Sequence, residues 1–502
     1  MSRLNLLPLL VLISFLGLAS CGGSSRVEGD PLLNTADVSL ESFVRENAAR
    51  TAWVEAQRGE RSLPIVREQF KDLIWTDATN ARLRDVMVEL LLSDTTPAGD
   101  EDNRRLAILR LPLEVEPITA QRFMAAAVDG GWTDVTPALV RRLAEVEQFG
   151  GERQEPAVIA ALHPGESFER VLFETLLEPE VIPGQREQLR KRRVRRAALD
   201  VLGVIDPSGE QLIRMATTAS EIERPPEAVA IIRTISRSAE SFGVAPRNGR
   251  ELEWLDRVTS DEDSRNAAWR SQVSAAVRSL SRGKRQGLRL FHLEPIRWAS
   301  DAKPGWLSAT REELVSIVEA RLEGRPFNRR TAEIDIDRSG LDERFRDHKD
   351  AMAWADLIAL LAVDEALRSE SFVTRVIDLA QLDREDRTTE YGGLLWAGSA
   401  LDPTGSRAQL YLPRTGDRLG DTTFIASEDA IRDGDRALAH FHLQVADRRN
   451  AEFAGPSGPD LDFAARMGRL GVVFTSIRER RLAVDYYQPN GVVVDLGEIR
   501  DN

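Results

Sequence analysis

Between Ser39 and Ala239 apolar residues return every three or four positions, and short polar or Pro/Gly breaks cut that rhythm into helix-length pieces. A 3.6-residue period sustained over so long a stretch leaves little room for a sheet, so this part of the chain must fold by packing helix on helix. The first piece starts at Ser39-Leu40-Glu41 and keeps Phe43, Val44, Ala48, Ala49, Ala52 and Trp53 on one face. Further helical patterns run over 81–92, 103–111, 118–128, 135–144, 168–177, 186–202, 209–219 and 226–239. The predicted helical region spans 39–290, and 291–345 reads as a connector.

Two segments, Thr136-Pro137-Ala138-Leu139-Val140-Arg141-Arg142-Leu143 and Arg196-Ala197-Ala198-Leu199-Asp200-Val201-Leu202-Gly203, resemble the helix pairs of HEAT-like repeats. That resemblance implies a concave binding platform; without a strict period, a plain helical bundle fits as well. The run Arg190-Lys191-Arg192-Arg193-Val194-Arg195-Arg196 could dock an acidic partner or lipid headgroups, but such a run is more often one solvated helix face. Trp254, Trp269, Trp298 and Trp306 imply burial across 240–345, and a helix over 307–321 takes Ser308 or Thr310 as its cap.

Past residue 346 the pattern changes. An amphipathic helix over 351–367 leads into predicted strands at 372–379, from Glu390, at 407–412 and at 422–426. Next come Ala439-His440-Phe441-His442, a helix over 461–470, a strand from Gly471, and a hairpin of 482–487 and 491–496. Asn490-Gly491 suits a type I′ turn there. Helices mixed with hairpin strands make 346–502 an α+β domain behind an α-helical region.

The chemistry gathers in this last part. The chain has five histidines, and two of them, His440 and His442, sit a strand step apart. Strand side chains alternate, so both imidazoles share a face while Phe441 enters the opposite layer. Ser457-x-x-Asp460 opens the following helix, either as a capping box or with Asp460 as a third ligand. Two His and a carboxylate leave the fourth position of a zinc ion open, which is the catalytic arrangement.

With Thr389-Glu390-Tyr391-Gly392-Gly393-Leu394-Leu395 upstream, the order Glu, His-x-His, Ser-x-x-Asp resembles the JAMM (MPN-type) zinc metalloproteases over roughly residues 350–500. The resemblance implies zinc held by His440, His442 and Asp460. It implies that Glu390 takes the proton of the attacking water and passes it to the leaving amine, and that Ser457 hydrogen-bonds the developing oxyanion. The substrate would be an amide or isopeptide bond in a protein or peptide. The chain departs from the family pattern in three places: fourteen residues, 443–456, separate His442 from Ser457, Leu443 replaces a usual Pro, and Phe441 replaces a small residue. A JAMM-like domain without activity, or a helical-repeat lipoprotein, would instead serve as a protein-binding scaffold.

The N-terminus bears on location. Residues 1–20, with Arg3 and an apolar run from Leu4 to Leu18, read as a secretory signal. Leu18-Ala19-Ser20-Cys21 looks like a bacterial lipobox, which implies acylation of Cys21, anchorage in the bilayer and a polar tether over 21–38. Gly22, not Asp, after that cysteine points to the outer membrane of the cell envelope, facing the periplasm. Cys21 is the sole cysteine, so no thiol remains for disulfides or nucleophilic catalysis. A net charge of −14 argues against nucleic acid as a partner and against electrostatic adhesion to anionic lipid.

Overall fold

The computed structural model describes residues 29–146, 152–260, 264–328, 343–398, 405–420, 424–447 and 449–500. The signal segment and Cys21 lie outside the described residues. The chain forms two compact units, one of residues 1–106 with 116–122 and one of 107–115 with 123–502.

The first unit is helical. Ser42–Gln57, Leu63–Ile74 and Ala81–Leu92 bury Trp53, Phe70, Leu83, Met87 and Leu91, with Trp53 stacked on Phe70 at 6.0 Å. Arg67 crosses this core and is satisfied by Asp94 at 2.9 Å and Asp102 at 2.8 Å. Part of the expected tether is helical: Pro31–Ala36 is a helix, capped by the Asp30 carboxylate and packed through Leu32. Pro at its first position fixes the helical φ where no N–H is needed.

The second unit begins with helices and ends on a six-stranded mixed sheet. Phe168–Leu177 and Glu187–Ile205 match the apolar rhythm closely, and the arginines and lysine of the basic run form the exposed and half-buried side of Glu187–Ile205. The helix expected at 307–321 is two: Pro304–Ser308, then Arg311–Leu322 behind a Thr310 capping box. One buried cluster runs from Phe242 to Ile499, so the four tryptophans and the sheet share a core that crosses residue 346. Helix Trp354–Ala366 lies inside it with 12 of its 13 residues buried, which is not the amphipathic helix expected. Apolar residues all round a helix mark a central position.

The strands are β1 (Gly392–Trp396), β2 (Arg407–Leu410), β3 (Ala439–Gln444), β4 (Gly471–Arg478), β5 (Arg481–Tyr487) and β6 (Val493–Arg500), in the order β2-β1-β3-β4-β5-β6. Among these six strands only β3 and β4 pair in parallel; helix Gly458–Met467 makes the crossover between them. Phe441, Leu443, Val472 and Phe474 face the main core, where Phe474 meets Phe441 and Phe372. On the other face Val473 and Tyr487 pack under Leu461 and Ala464 of the crossover helix.

Three local expectations are corrected. Residues 372–379 lie in helix Glu370–Glu385, not a strand. Phe372, Val376, Ile377, Leu379 and Ala380 are its buried side, a helical spacing that local alternation obscured, and Ser369 caps it. Residues 424–426 form no strand, and 422–423 lie outside the described residues. The turn after β5 is not type I′: Gly491 has φ +83°, but Asn490 is not left-handed. It spans Gln488 to Gly491, whose N–H donates to the Gln488 carbonyl at 3.0 Å, and the ring of Pro489 inside it fixes a negative φ.

Candidate functional site: a buried histidine–carboxylate cluster

The His strand is central, flanked by β1 and β4. His442 stands opposite Gly392 and Val473, and His440 opposite Leu394 and Gly471. The two glycines of β1 are there for close approach. A Cβ on Gly393 would lie 1.9 Å from the Gln409 carbonyl oxygen, and one on Gly392 would lie 2.2 Å from the Phe424 ring. Phe424 uses that space to stack on His442, with ring centroids 5.8 Å apart and planes 10° from parallel.

The crossover helix delivers Asp460. Its first turn sits above the His face because Leu461 and Ala464 pack on Val473 and Tyr487. His442 Nε2 lies 3.4 Å from Asp460 Oδ1 and 4.0 Å from Glu390 Oε1. Glu390 enters from the residue pair just before β1 and is 5% exposed. Three of the expected residues, Glu390, His442 and Asp460, thus meet in one buried spot.

Ser457 is the helix cap. Its N–H and its hydroxyl both donate to Asp460 Oδ2, at 2.7 and 2.6 Å. Burial raises the Asp460 carboxyl, but His442 and the two Ser457 donors outweigh it and hold the group ionised well below the usual range. Tyr487 lies beneath; its burial and the charges of Asp460 and Glu390 push its hydroxyl far up.

His440 shares the buried face but has a different partner. Its Nε2 lies 3.3 Å from Arg469 Nη1, and its ring meets Phe463 edge-on at 5.9 Å. Arg469 is ion-paired to Asp435. Asp435 also takes Arg257 Nη2 at 2.9 Å, and its carbonyl takes the Trp254 indole N–H at 2.8 Å. Helix Gly249–Thr259 thereby braces the back of the site. Among the described residues no group of three or more His, Cys, Asp or Glu forms a set able to hold a metal ion.

The donor chemistry nonetheless suits zinc. Imidazole and carboxylate are its usual ligands, and His442 Nε2 stands 3.4 Å from Asp460 Oδ1 on the buried face. Of the three expected ligands, His442 and Asp460 stand together, whereas His440 Nε2 faces Arg469.

Arg469, Asp435, Gly434 and Phe424 were not singled out from the sequence. The one signal was an arginine between the helix-ending Gly468 and the buried strand from Gly471. Of the other histidines, His163 Nε2 bonds the Thr136 hydroxyl at 2.8 Å, and buried His292 bonds Asp356 at 2.9 Å.

Burial, then repulsion by Arg469, pushes the His440 pKa down to about 3. An unfolded chain binds a proton on this ring below about pH 6.5, whereas the folded one refuses it until about 3. Stability from this group is therefore complete above pH 6.5 and falls as the pH drops toward 3. His440→Gln is expected to flatten that part of a stability-against-pH profile measured by urea unfolding.

The fold and cluster define an α-helical chain ending in an α+β sheet domain with a buried His/Asp/Glu centre. No family model, no curated protein and no solved structure matches this chain.

Proposed function

We propose that the chain is a lipid-anchored, JAMM-like zinc metallopeptidase that hydrolyses an amide or isopeptide bond, tethered through acylated Cys21 to the bacterial envelope with its body in the periplasm. The observation that carries the reading is the meeting of Glu390, His442 and Asp460 within 3.4 and 4.0 Å on the buried His-x-His face. The sheet order, with a helix crossing from the His strand to its parallel neighbour, supports an MPN-like arrangement, and the helices before it support a HEAT-like platform for a protein partner. Among the described residues no helix is long and apolar enough to cross a membrane, so attachment in this reading depends on the lipid.

His442 and Asp460, joined by His440, would hold the zinc. A bound zinc supplies Lewis acidity at a carbonyl and makes a nucleophile of water near neutral pH. Glu390, 4.0 Å from His442 Nε2, would take the proton of the attacking water and return it to the leaving amine. Ser457 orients Asp460; serving an oxyanion would require its hydroxyl to turn away from that carboxylate.

The full chain is expected to bind one zinc, measured by elemental analysis, and His442→Ala to lose it. Glu390→Gln is expected to keep the zinc and lower peptide hydrolysis by a factor of about 10²–10⁴. Wild type and His442→Ala equally free of zinc would reject the proposal.

The Arg469–His440 contact favours a second reading. A cation at the imidazole opposes another cation there, as in a JAMM-like domain without activity that serves as a protein-binding scaffold. A chain that holds no zinc, or that holds zinc without hydrolysing any tested peptide, would support it.

A further inference from the structure

We infer that Arg469 is a built-in occupant of His440, a displaceable internal cation that a metal ion must move aside, so that the pair sets the threshold for loading the site. The inference rests on the zinc reading of that site.

A guanidinium has only donors. With Arg469 Nη1 3.3 Å from Nε2, that nitrogen must be the acceptor, and the imidazole proton must sit on Nδ1. Nδ1 itself has no hydrogen-bond partner among the described residues, so none of them competes to dictate the tautomer. Arg469 therefore holds His440 neutral with its Nε2 lone pair available, which is the form a metal needs.

The same contact fills the position. Zinc binds an imidazole nitrogen at about 2.0–2.1 Å. An ion on this lone pair would overlap a guanidinium nitrogen standing 3.3 Å away. Nor is there slack beside it. The backbone at Gly434 closes the pocket so tightly that a Cβ would lie 2.3 Å from Arg469 Nη1 and 2.9 Å from His440 Nε2. The cavity between Trp254, Gly434, His440 and Arg469 holds about 10 Å³, room for about one water.

Displacement need not strand the arginine. Its other arm is paired to Asp435, and its guanidinium lies 4.8 Å from the Trp254 ring centre, so it has partners besides His440. The outcome is a site whose affinity is weaker than its ligands alone would give, and whose loading moves a group braced by helix Gly249–Thr259.

The test is zinc affinity of the full chain by competition with a chromogenic chelator, for wild type, Arg469→Gln, Arg469→Met and Arg469→Lys. Gln and Met remove the charge and are expected to bind zinc at least tenfold tighter than wild type, while Lys stays near wild type. In a His440→Ala background the gain is expected to vanish, since the coupling runs through that ring. Equal affinity in wild type, Gln and Met would overturn the inference and leave the zinc reading standing. No zinc in any variant would overturn both. Because a buried charge is being removed, a second measurement is made on the metal-free wild type: ¹⁵N-imidazole NMR is expected to show the Nδ1–H tautomer at His440. The Nε2–H tautomer or an imidazolium there would overturn the inference without any variant.

Discussion

A chain cut to residues 346–502 is expected not to fold. The buried cluster that holds the sheet begins at Phe242, and the cut removes Trp254, Phe291, Ile296, Trp298, Leu314 and Val318 from it. Each such side chain contributes about 1.5–3 kcal/mol by burial, so six of them contribute on the order of 10 kcal/mol. That matches the whole stability of an ordinary domain, about 5–15 kcal/mol. The fragment also loses Arg325, whose guanidinium bonds the Leu496 carbonyl at 2.8 Å, and Asn328, whose N–H bonds Asp495 at 2.6 Å. Thermal unfolding followed by near-ultraviolet circular dichroism is expected to show no cooperative transition for 346–502, and a sharp one for a fragment starting at Pro226. A soluble 346–502 fragment with a cooperative melt would show that the core separates after all.

Replacing Asp435 by Ala is expected to destabilise the chain by about 3–5 kcal/mol, the usual cost of leaving a buried charge without its partner. Asp435 is 3% exposed and answers both Arg469, 5% exposed, and Arg257. Burial, with repulsion from Arg257 behind it, pulls the Arg469 pKa down, and Asp435 is the group that opposes this. Asp435→Asn keeps an acceptor oxygen and is expected to cost less. The urea midpoint of the three proteins decides: a loss under about 1 kcal/mol for Ala would place the pair in the exposed class.

The architecture was legible where one period ruled a long segment. Ala81–Leu92 and Phe168–Leu177 are the helices their spacing predicts, because apolar burial against other helices is all that decides them. The His strand and the helix after Ser457 were read from short local runs, and Glu390 was set beside His442 and Asp460 only by the resemblance of their order to the JAMM motif, not by any period in the chain. The exceptions share a cause. Helix Trp354–Ala366 and helix Glu370–Glu385 are set by surroundings that lie far along the chain, so local alternation misleads there. The partner of His440 was invisible for a related reason: Arg469 is 29 residues away, and its anchor Asp435 answers helix Gly249–Thr259, nearly two hundred positions upstream. Nothing local marks an arginine as buried; only the packed sheet does.

The insertion between His442 and Ser457 is held to the sheet at Asn450. The N–H of that residue donates to the Ser476 carbonyl at 2.7 Å, and its side-chain amide donates to the Gln444 carbonyl at 3.3 Å.

Strand β3 presents imidazoles to one side and Phe441 and Leu443 to the other, in strict alternation. Lengthening or shortening Ala439–Gln444 by a single residue would therefore exchange the two sets, submerging the imidazoles in grease and thrusting Phe441 among carboxylates. Length variation in descendants of this gene should accumulate after Val445 and spare the six positions before it.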